Sequence, residues 1–162
     1  MNIDKFWLLI EKCKGSDEPE NIIQTELEKL SVEDISSYQE IFDTLHENAY
    51  IWKLWGAAYI IDGGCSDDGF TDFRYGLIAR GRDVYEKALI DPDSLAGLGD
   101  EQEIPNESFG YAALTAYETK SQKDMPRKTF NQPEEPIGDE WDFEDEERNK
   151  EMLPKLSQLY GS

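Results

Sequence analysis

Hydrophobic residues recur at helical spacing along most of the first 120 residues. Apolar side chains at positions 3, 6, 7 and 10 have the i, i+3, i+4, i+7 spacing of one face of an amphipathic helix. Further stripes of this kind lie at 23–30, 35–45, 70–78, 84–89 and 109–117. No segment shows the alternation of a half-buried strand. The pattern predicts an all-α fold, a single compact bundle of about six helices.

The segment 50–61 differs from the others because it is apolar nearly all round. A helix without a polar face is buried on several sides, so we predict that this segment is the central helix of the bundle. Its β-branched and aromatic residues also favour a buried strand. No partner strand is apparent elsewhere in the sequence, which favours the helix.

A polar turn at 62–69, with the sequence DGGCSDDG, joins this segment to the next predicted helix. Gly63 predicts the end of the first helix, because glycine readily takes the left-handed conformation of a helix C-terminus. Ser66 is a favourable N-cap for the second helix. Asp67 and Asp68 then lie in its first turn, where the helix dipole favours negative charge.

The composition of the chain changes after residue 121. Prolines punctuate a polar stretch, and acidic residues then dominate positions 134–151, where Trp141 and Phe143 are embedded. We therefore predict a helical domain at 1–120 and an acidic C-terminal extension at 121–162. Long acidic runs are usually solvated, and the two aromatic residues are then candidate anchors for a protein partner. The apolar end of the chain would instead allow the extension to dock onto the domain.

The chain is strongly acidic, since 36 Asp and Glu residues against 16 Lys and Arg residues give a formal net charge of -20. This excess disfavours nucleic-acid binding, which depends on clustered basic side chains, and it suits a basic protein partner. The longest apolar run is shorter than the roughly 20 residues that span a bilayer, so we predict no membrane association. Two cysteines without a recognisable framework, and no signal peptide, predict a cytoplasmic location.

An ordered series of short motifs runs through about the first hundred residues. The motifs are FW at 6–7, LWGAAY at 54–59, GGCSDDGF at 63–70, FR at 73–74, LI at 77–78, glycine at 81 and ALIDPDSL at 88–95. Together they resemble a bacterial family of unknown function, the domain of unknown function forty-two forty. The resemblance implies a bacterial origin and one shared domain. It implies no activity and no catalytic residues.

Helical phase places Asp67, Phe70 and Arg74 on one face of the helix that follows the polar turn. Arg74 is therefore expected on the apolar side of that helix. A buried charge without a partner costs several kcal/mol, so we predict a structural ion pair between Arg74 and the carboxylate of Asp67, Asp62 or Asp91. The functional alternative is a ligand phosphate or carboxylate bound between the helix N-terminus and Arg74.

The candidate functional residues lie in this turn and the helix after it: Asp62, Cys65, Ser66, Asp67, Asp68, Asp72 and Arg74. The aspartates offer the oxygen ligands that hard cations require, but their spacing matches no calcium-loop template, and we predict neither metal nor cofactor. Cys65 precedes a helix N-terminus, which lowers the pKa of a thiol. A nucleophile formed by Cys65 with His46, the only histidine, is therefore a further hypothesis. A small buried cysteine in a tight turn is the simpler explanation.

Two hypotheses for function follow from these observations. The first is a small acidic binding or regulatory protein, for example one that neutralises a basic toxin or nuclease. It rests on the charge of the chain and on the lack of a complete catalytic set, which makes an enzyme the less favoured interpretation. The second is an enzyme or small-ligand sensor with its site at 62–74, where glycine, aspartate and arginine are concentrated.

Overall fold

The computed structural model describes residues 1–99, 103–127 and 133–161 of the chain. Within these ranges the secondary structure consists of nine α-helices, one 3-10 helix and an isolated bridge between Ile51 and Ile137. The α-helices are α1 (Ile3–Glu11), α2 (Pro19–Glu28), α3 (Val32–Asn48), α4 (Trp52–Asp62), α5 (Asp67–Ala79), α6 (Arg82–Ile90), α7 (Glu107–Ser121), α8 (Glu146–Met152) and α9 (Pro154–Tyr160), and the 3-10 helix is Pro92–Leu98. The prediction of an all-α fold is confirmed. The expected number of about six helices is too low, partly because the C-terminal extension itself folds into α8 and α9.

The predicted apolar stripes supply the core of the domain. Helix α1 buries Phe6 and Ile10, and α3 buries Tyr38 and Phe42. The ring centroids of Phe6 and Tyr38 are 4.8 Å apart, and those of Tyr38 and Phe42 are 6.0 Å apart. Large aromatic side chains bury much apolar surface each. Their contacts therefore join α1 and α3 through a few bulky residues.

Helix α7 packs against α2, α3 and α5, so the centre of the bundle is not formed by α4 alone. Helix α4 contacts α5 and the 3-10 helix and, on the side of the extension, α9. Leu54, Ala57 and Ala58 of α4 are buried. The lack of a polar face in this segment therefore reflects its position between the domain core and the C-terminal extension. Within the described residues no helix is both long enough and apolar enough to cross a membrane.

The polar turn between α4 and α5 has the predicted caps. Gly63 has a φ of 70° and ends α4 in the left-handed conformation. The Ser66 side chain accepts a hydrogen bond from the backbone N–H of Gly69 at 3.1 Å and so caps α5. The indole nitrogen of Trp55 donates to the carbonyl oxygen of Cys65 at 2.9 Å. This hydrogen bond fixes the turn against α4.

The C-terminal extension packs onto the helical domain in two places near α4. The backbone N–H of Ile137 donates to the Tyr50 carbonyl, and the N–H of Trp52 donates to the Ile137 carbonyl, both at 2.9 Å. Further along, the Trp141 ring lies directly on Gly56, where an added Cβ would be 2.5 Å from ring atom Cζ2. Only glycine at position 56 leaves room for this contact.

Asp93 of the 3-10 helix holds the last helix of the extension. Its side chain is buried, and its carboxylate accepts hydrogen bonds from the backbone N–H groups of Lys155 at 3.0 Å and Leu156 at 2.9 Å. These groups belong to the first turn of α9, whose N–H groups have no partner within the helix. Asp93 therefore caps α9 from a distant part of the sequence.

Candidate functional site

Arg74 lies on the apolar face of α5, and its side chain is fully buried. The predicted burial is thus confirmed. The guanidinium carbon lies 4.7 Å from the ring centroid of Tyr50 and 4.7 Å from that of Phe70. Cation–π contacts of this kind are strongest where water is excluded. The two rings therefore offset part of the cost of burying the charge.

The guanidinium donates its hydrogen bonds to uncharged oxygens. Nη1 donates to the His46 carbonyl at 2.9 Å, Nε to the Phe70 carbonyl at 3.4 Å, and Nη2 to Thr71 Oγ1 at 3.4 Å. His46 lies in the last turn of α3, where carbonyl groups carry the negative end of the helix dipole. Arg74 therefore stabilises the C-terminus of α3 while α3 supplies its closest acceptor.

The predicted ion pair between Arg74 and Asp67, Asp62 or Asp91 is wrong. Among residues 1–99, 103–127 and 133–161, no carboxylate oxygen lies within 4.0 Å of the guanidinium nitrogens. Asp67 is two helical turns away from Arg74, roughly 10 Å along the axis. Its carboxylate instead accepts a hydrogen bond from the Tyr50 hydroxyl at 3.4 Å. Asp67 therefore contacts the ring that covers Arg74 rather than Arg74 itself.

Burial lowers the pKa of Arg74 to about 10, so its guanidinium is charged at neutral pH. The charge is enclosed by two aromatic faces and by oxygens of the protein. A ligand could reach this charge only if Tyr50 or Phe70 moved aside. The arrangement therefore gives Arg74 a structural role.

His46 is half-buried beside Arg74 and belongs to the same cluster. Its Nε2 lies 3.1 Å from the Thr71 carbonyl oxygen, which can only accept, so Nε2 carries the proton of the neutral ring. The ring stacks on Tyr75 with centroids 4.3 Å apart. Burial, and then the positive charge of Arg74, lower the pKa of His46 to about 3. The imidazole is therefore neutral at physiological pH.

Cys65 does not have the features of an activated nucleophile. Its Sγ donates to the carbonyl oxygen of Ser66 at 3.6 Å. Burial, followed by the negative charge of Asp62, raises the pKa of the Cys65 thiol to about 12, which is opposite to the shift expected next to a helix N-terminus. Within the described residues no hydrogen bond joins Cys65 to His46. The structure therefore gives no support to a Cys65–His46 nucleophile, which stays a hypothesis.

The aspartates of the candidate region do not form a metal site. Asp62, Asp67 and Asp68 are exposed, and Asp72 is half-buried. Partial desolvation of the Asp62 carboxyl, followed by the negative charge of Glu103, raises its pKa to about 6. Burial likewise raises the pKa of Asp72. In the part of the chain that the structure describes, no group of three or more His, Cys, Asp or Glu side chains could hold a metal ion.

Trp141 and Phe143 are half-buried against the protein's own α4. The Phe143 ring packs on the aromatic residues of that helix, with centroids 5.5 Å from Tyr59, 6.2 Å from Trp52 and 6.3 Å from Trp55. Trp141 Nε1 donates to Asn149 Oδ1 at 2.7 Å, and Asn149 Nδ2 donates to the Phe143 carbonyl at 2.8 Å. The two aromatic residues therefore anchor the extension to the domain, and a role in binding a partner stays a prediction.

The carboxylates of the extension remain on the surface of this docked segment. All ten Asp and Glu residues between positions 134 and 151 are exposed, and with two basic residues they give the segment a net charge of -8. Both basic side chains pair within the segment, Arg148 with Glu151 at 2.7 Å and Lys150 with Glu147 at 3.4 Å. We call this set of ten carboxylates the acidic surface.

A groove of about 330 Å³ lies between α4 and the two helices of the extension. Three rings, two carboxylates and a hydroxyl are prominent in its lining, from Tyr59, Phe143, Tyr160, Glu144, Glu146 and Ser157. We call it the aromatic–acidic groove. A second groove, of about 630 Å³, lies beside Arg80 and Asn106. Neither groove is lined by Cys65, Ser66 or Arg74 of the predicted site.

A family model described as a protein of unknown function, DUF4240, matches residues 1–119. The chain belongs to this family. The resemblance seen in the sequence motifs is therefore confirmed. No curated protein and no solved structure matches the chain significantly.

The DUF4240 match contains the whole Arg74 cluster. The GGCSDDGF motif supplies the Gly63 and Ser66 caps and the Phe70 ring, and the FR motif supplies Arg74 itself. The extension, with α8, α9 and most of the aromatic–acidic groove, lies beyond residue 119. The Arg74 cluster and the acidic surface thus belong to different parts of the chain.

Sequence reasoning missed the aromatic–acidic groove. Its rings come from α4, from the loop before α8 and from α9, at Tyr59, Phe143 and Tyr160. No local spacing brings such distant positions together. The only signal in the sequence was the presence of two aromatic residues within an acidic run.

Proposed function

We propose that this DUF4240 protein binds a basic protein through the acidic surface of its C-terminal extension. The observation that carries the proposal is that ten exposed carboxylates stand on a segment that is fixed to the domain. Concentrated negative charge accelerates association with a positively charged partner. A surface that is already ordered also loses less conformational entropy on binding than a free tail does.

Three separate contacts support the rigidity that the proposal requires. Ile137 pairs with the backbone before α4, Trp141 lies on Gly56, and Asp93 caps α9. Each contact is made by a group other than the ten exposed carboxylates. These three contacts therefore occupy none of the ten carboxylates, four of which (Asp142, Asp145, Glu147 and Glu151) accept hydrogen bonds from other groups of the segment.

A binding role in the cytoplasm, such as neutralisation or regulation of a basic protein, is the form of this function that we favour. An enzyme or sensor at 62–74 has less support. The Arg74 charge is enclosed, the Cys65 thiol has a raised pKa, and the His46 nitrogen is hydrogen-bonded to a carbonyl. These features account for the residues at 62–74 as parts of the fold.

The experiment compares proteins that are captured by the wild type and by two charge variants from an extract of the source organism. The extension variant neutralises four exposed carboxylates of the acidic surface: Glu134→Gln, Glu135→Gln, Asp139→Asn and Glu140→Gln. The control variant makes the same change in net charge with four exposed carboxylates of the helical domain: Asp17→Asn, Glu33→Gln, Asp83→Asn and Glu118→Gln.

We expect a basic protein that is retained by the wild type and by the control variant but is lost by the extension variant. With that protein purified, its association rate with the wild type should fall steeply as salt rises, because screening weakens electrostatic steering. The proposal is wrong if the extension variant captures the same proteins as the wild type. It is also wrong if the proteins that depend on the extension are acidic.

A further inference from the structure

We infer that the aromatic–acidic groove receives an arginine side chain of the basic partner. The inference rests on the proposed function and adds the chemistry of one contact. The groove combines the rings of Tyr59, Phe143 and Tyr160 with the carboxylates of Glu144 and Glu146. Aromatic faces attract cations, and carboxylates form charge-assisted hydrogen bonds with them. Both features point to a cationic guest.

Glu144 is the carboxylate best placed to meet such a guest. Its side chain is exposed and lines the groove. Its backbone N–H donates to Asp142 Oδ1, but its own carboxylate oxygens make no hydrogen bond or ion pair within the described residues. A guanidinium group that stacks on the rings could therefore donate to Glu144 without displacing an existing partner.

Ser157 gives an independent indication of a ligand. It lines the groove, only 8% of its surface is exposed, and its hydroxyl oxygen is buried without a hydrogen-bond partner among the described residues. Buried hydroxyl groups in folded proteins nearly always have a partner. A guanidinium carries five N–H donors in one plane. The Ser157 oxygen has almost no accessible surface, so one of these donors could reach it only with a small displacement of the groove wall, while others meet Glu144.

Arginine fits this groove better than lysine does. A planar guanidinium stacks on aromatic rings and binds a carboxylate through two donors, whereas an ammonium group is a compact and strongly hydrated charge. The volume of about 330 Å³ is at the lower end of pockets that bind small molecules, and it is sufficient for one long side chain. Lys150 also lines the groove, but its ammonium nitrogen pairs with Glu147 at 3.4 Å.

The first test is an NMR titration of the full chain with N-acetyl-arginine amide. Backbone signals of Tyr59, Glu144, Ser157 and Tyr160 should shift together, with a dissociation constant of about 1–10 mM, as expected for one small contact. N-acetyl-citrulline amide has nearly the same shape without the charge and should bind at least about tenfold more weakly. Equal binding of the citrulline probe, or shifts that lie elsewhere on the surface, would overturn the inference.

Two variants test the residues that the inference names. Glu144→Gln should weaken the binding of N-acetyl-arginine amide about tenfold, the effect of one charge-assisted hydrogen bond. Ser157→Ala should weaken it about threefold and should remain folded, because its hydroxyl has no hydrogen bond to lose. Glu118→Gln is the matched control, since Glu118 is exposed on the helical domain, outside both the acidic surface and the groove. If Glu118→Gln weakens the binding of the probe as much as Glu144→Gln does, the effect comes from net charge alone and the inference is wrong.

The same variants separate this inference from the proposed function. If a basic protein depends on the acidic surface but binds Glu144→Gln and wild type equally, the groove inference fails and the proposed function stands. If the arginine probe binds in the groove but no basic protein depends on the acidic surface, the proposed function fails. The proposed function and the groove inference are both supported only if the partner loses affinity for the extension variant and for Glu144→Gln.

Discussion

The single histidine should make the stability of the fold decrease between pH 7 and pH 5. The Nε2–H group of His46 donates to the Thr71 carbonyl, and its ring stacks on Tyr75. Its own backbone carbonyl binds the guanidinium of Arg74. A second proton would place a positive charge in this desolvated cluster beside the positive charge of Arg74. The folded protein therefore resists protonation of His46.

The size of the effect follows from the two pKa values. Burial, and then Arg74, lower the pKa of His46 from 6.5 to about 3 in the folded protein. Between these values the unfolded chain binds one more proton than the folded chain does. The contribution of neutral His46 to the free energy of unfolding is thus complete above pH 6.5 and is lost as the pH falls towards 3. At pH 5 the loss is about 2 kcal/mol, from 1.36 kcal/mol per pKa unit over about 1.5 units.

Asp62 has the opposite effect in the same range of pH. Partial desolvation raises the pKa of its carboxyl from 3.8 to about 6, so the folded state binds the additional proton, and stability from this group increases as the pH falls through 6. The comparison must therefore be between variants that both keep Asp62. Urea unfolding of wild type and His46→Gln at pH 7 and pH 5 meets this condition. Glutamine retains an N–H donor for the Thr71 carbonyl.

We expect the free energy of unfolding of the wild type to fall by about 2 kcal/mol more than that of His46→Gln between these pH values. NMR gives a direct check, because His46 is the only histidine. Its Hε1 signal should not titrate between pH 7 and pH 5 in the folded protein. A folded-state pKa of His46 near 6.5, or an equal pH dependence of stability in His46→Gln, would show that the imidazole is not desolvated beside Arg74.

Three other substitutions test the packing. Arg74→Ala should destabilise the fold by about 2–4 kcal/mol, because it leaves a cavity between two rings and an unsatisfied carbonyl at the end of α3, and a loss below about 1 kcal/mol in urea melts would contradict this. Asp93→Ala should speed hydrogen exchange at the amides of Lys155 and Leu156 and lower the free energy of unfolding by about 1–2 kcal/mol. Unchanged exchange at these amides would disprove the cap. Gly56→Ala should displace Trp141 and expose the extension to proteases while the helical content of the domain persists, whereas unchanged cleavage would show that the extension is held elsewhere.

Local features of the sequence predict the all-α fold and the caps at Gly63 and Ser66 correctly. The Ser31 hydroxyl accepts from the Asp34 N–H at 3.1 Å, and the Ser66 hydroxyl does the same for Gly69. These contacts join residues three positions apart, so spacing alone determines them. The amphipathic stripes are local in the same sense, because helical phase decides which side chains share a face.

The partner of Arg74 was mispredicted because it has no signature in the sequence. Helical phase correctly indicated that the side chain is buried. Its closest acceptor is the carbonyl of His46, 28 positions earlier, and the Tyr50 ring covers it from the connection between α3 and α4. Any residue supplies a backbone carbonyl, and only the tertiary arrangement of α3 and α5 shows which one is near. A carboxylate was the only acceptor that residue types could indicate.

The acidic extension is docked although its own charges repel one another, and the order of its residues explains how. In the segment 140–144, which holds the extension on α4, exposed Glu140, Asp142 and Glu144 alternate with half-buried Trp141 and Phe143. The alternation packs the rings on α4 and leaves the carboxylates exposed. The residues that dock the extension therefore differ from those that carry its negative charge, so substitutions can change one property without the other. If the proposed function holds, a variant without the Trp141 ring should lose its basic partner with the net charge unchanged, whereas neutralising the carboxylate of Glu140 should leave the extension docked.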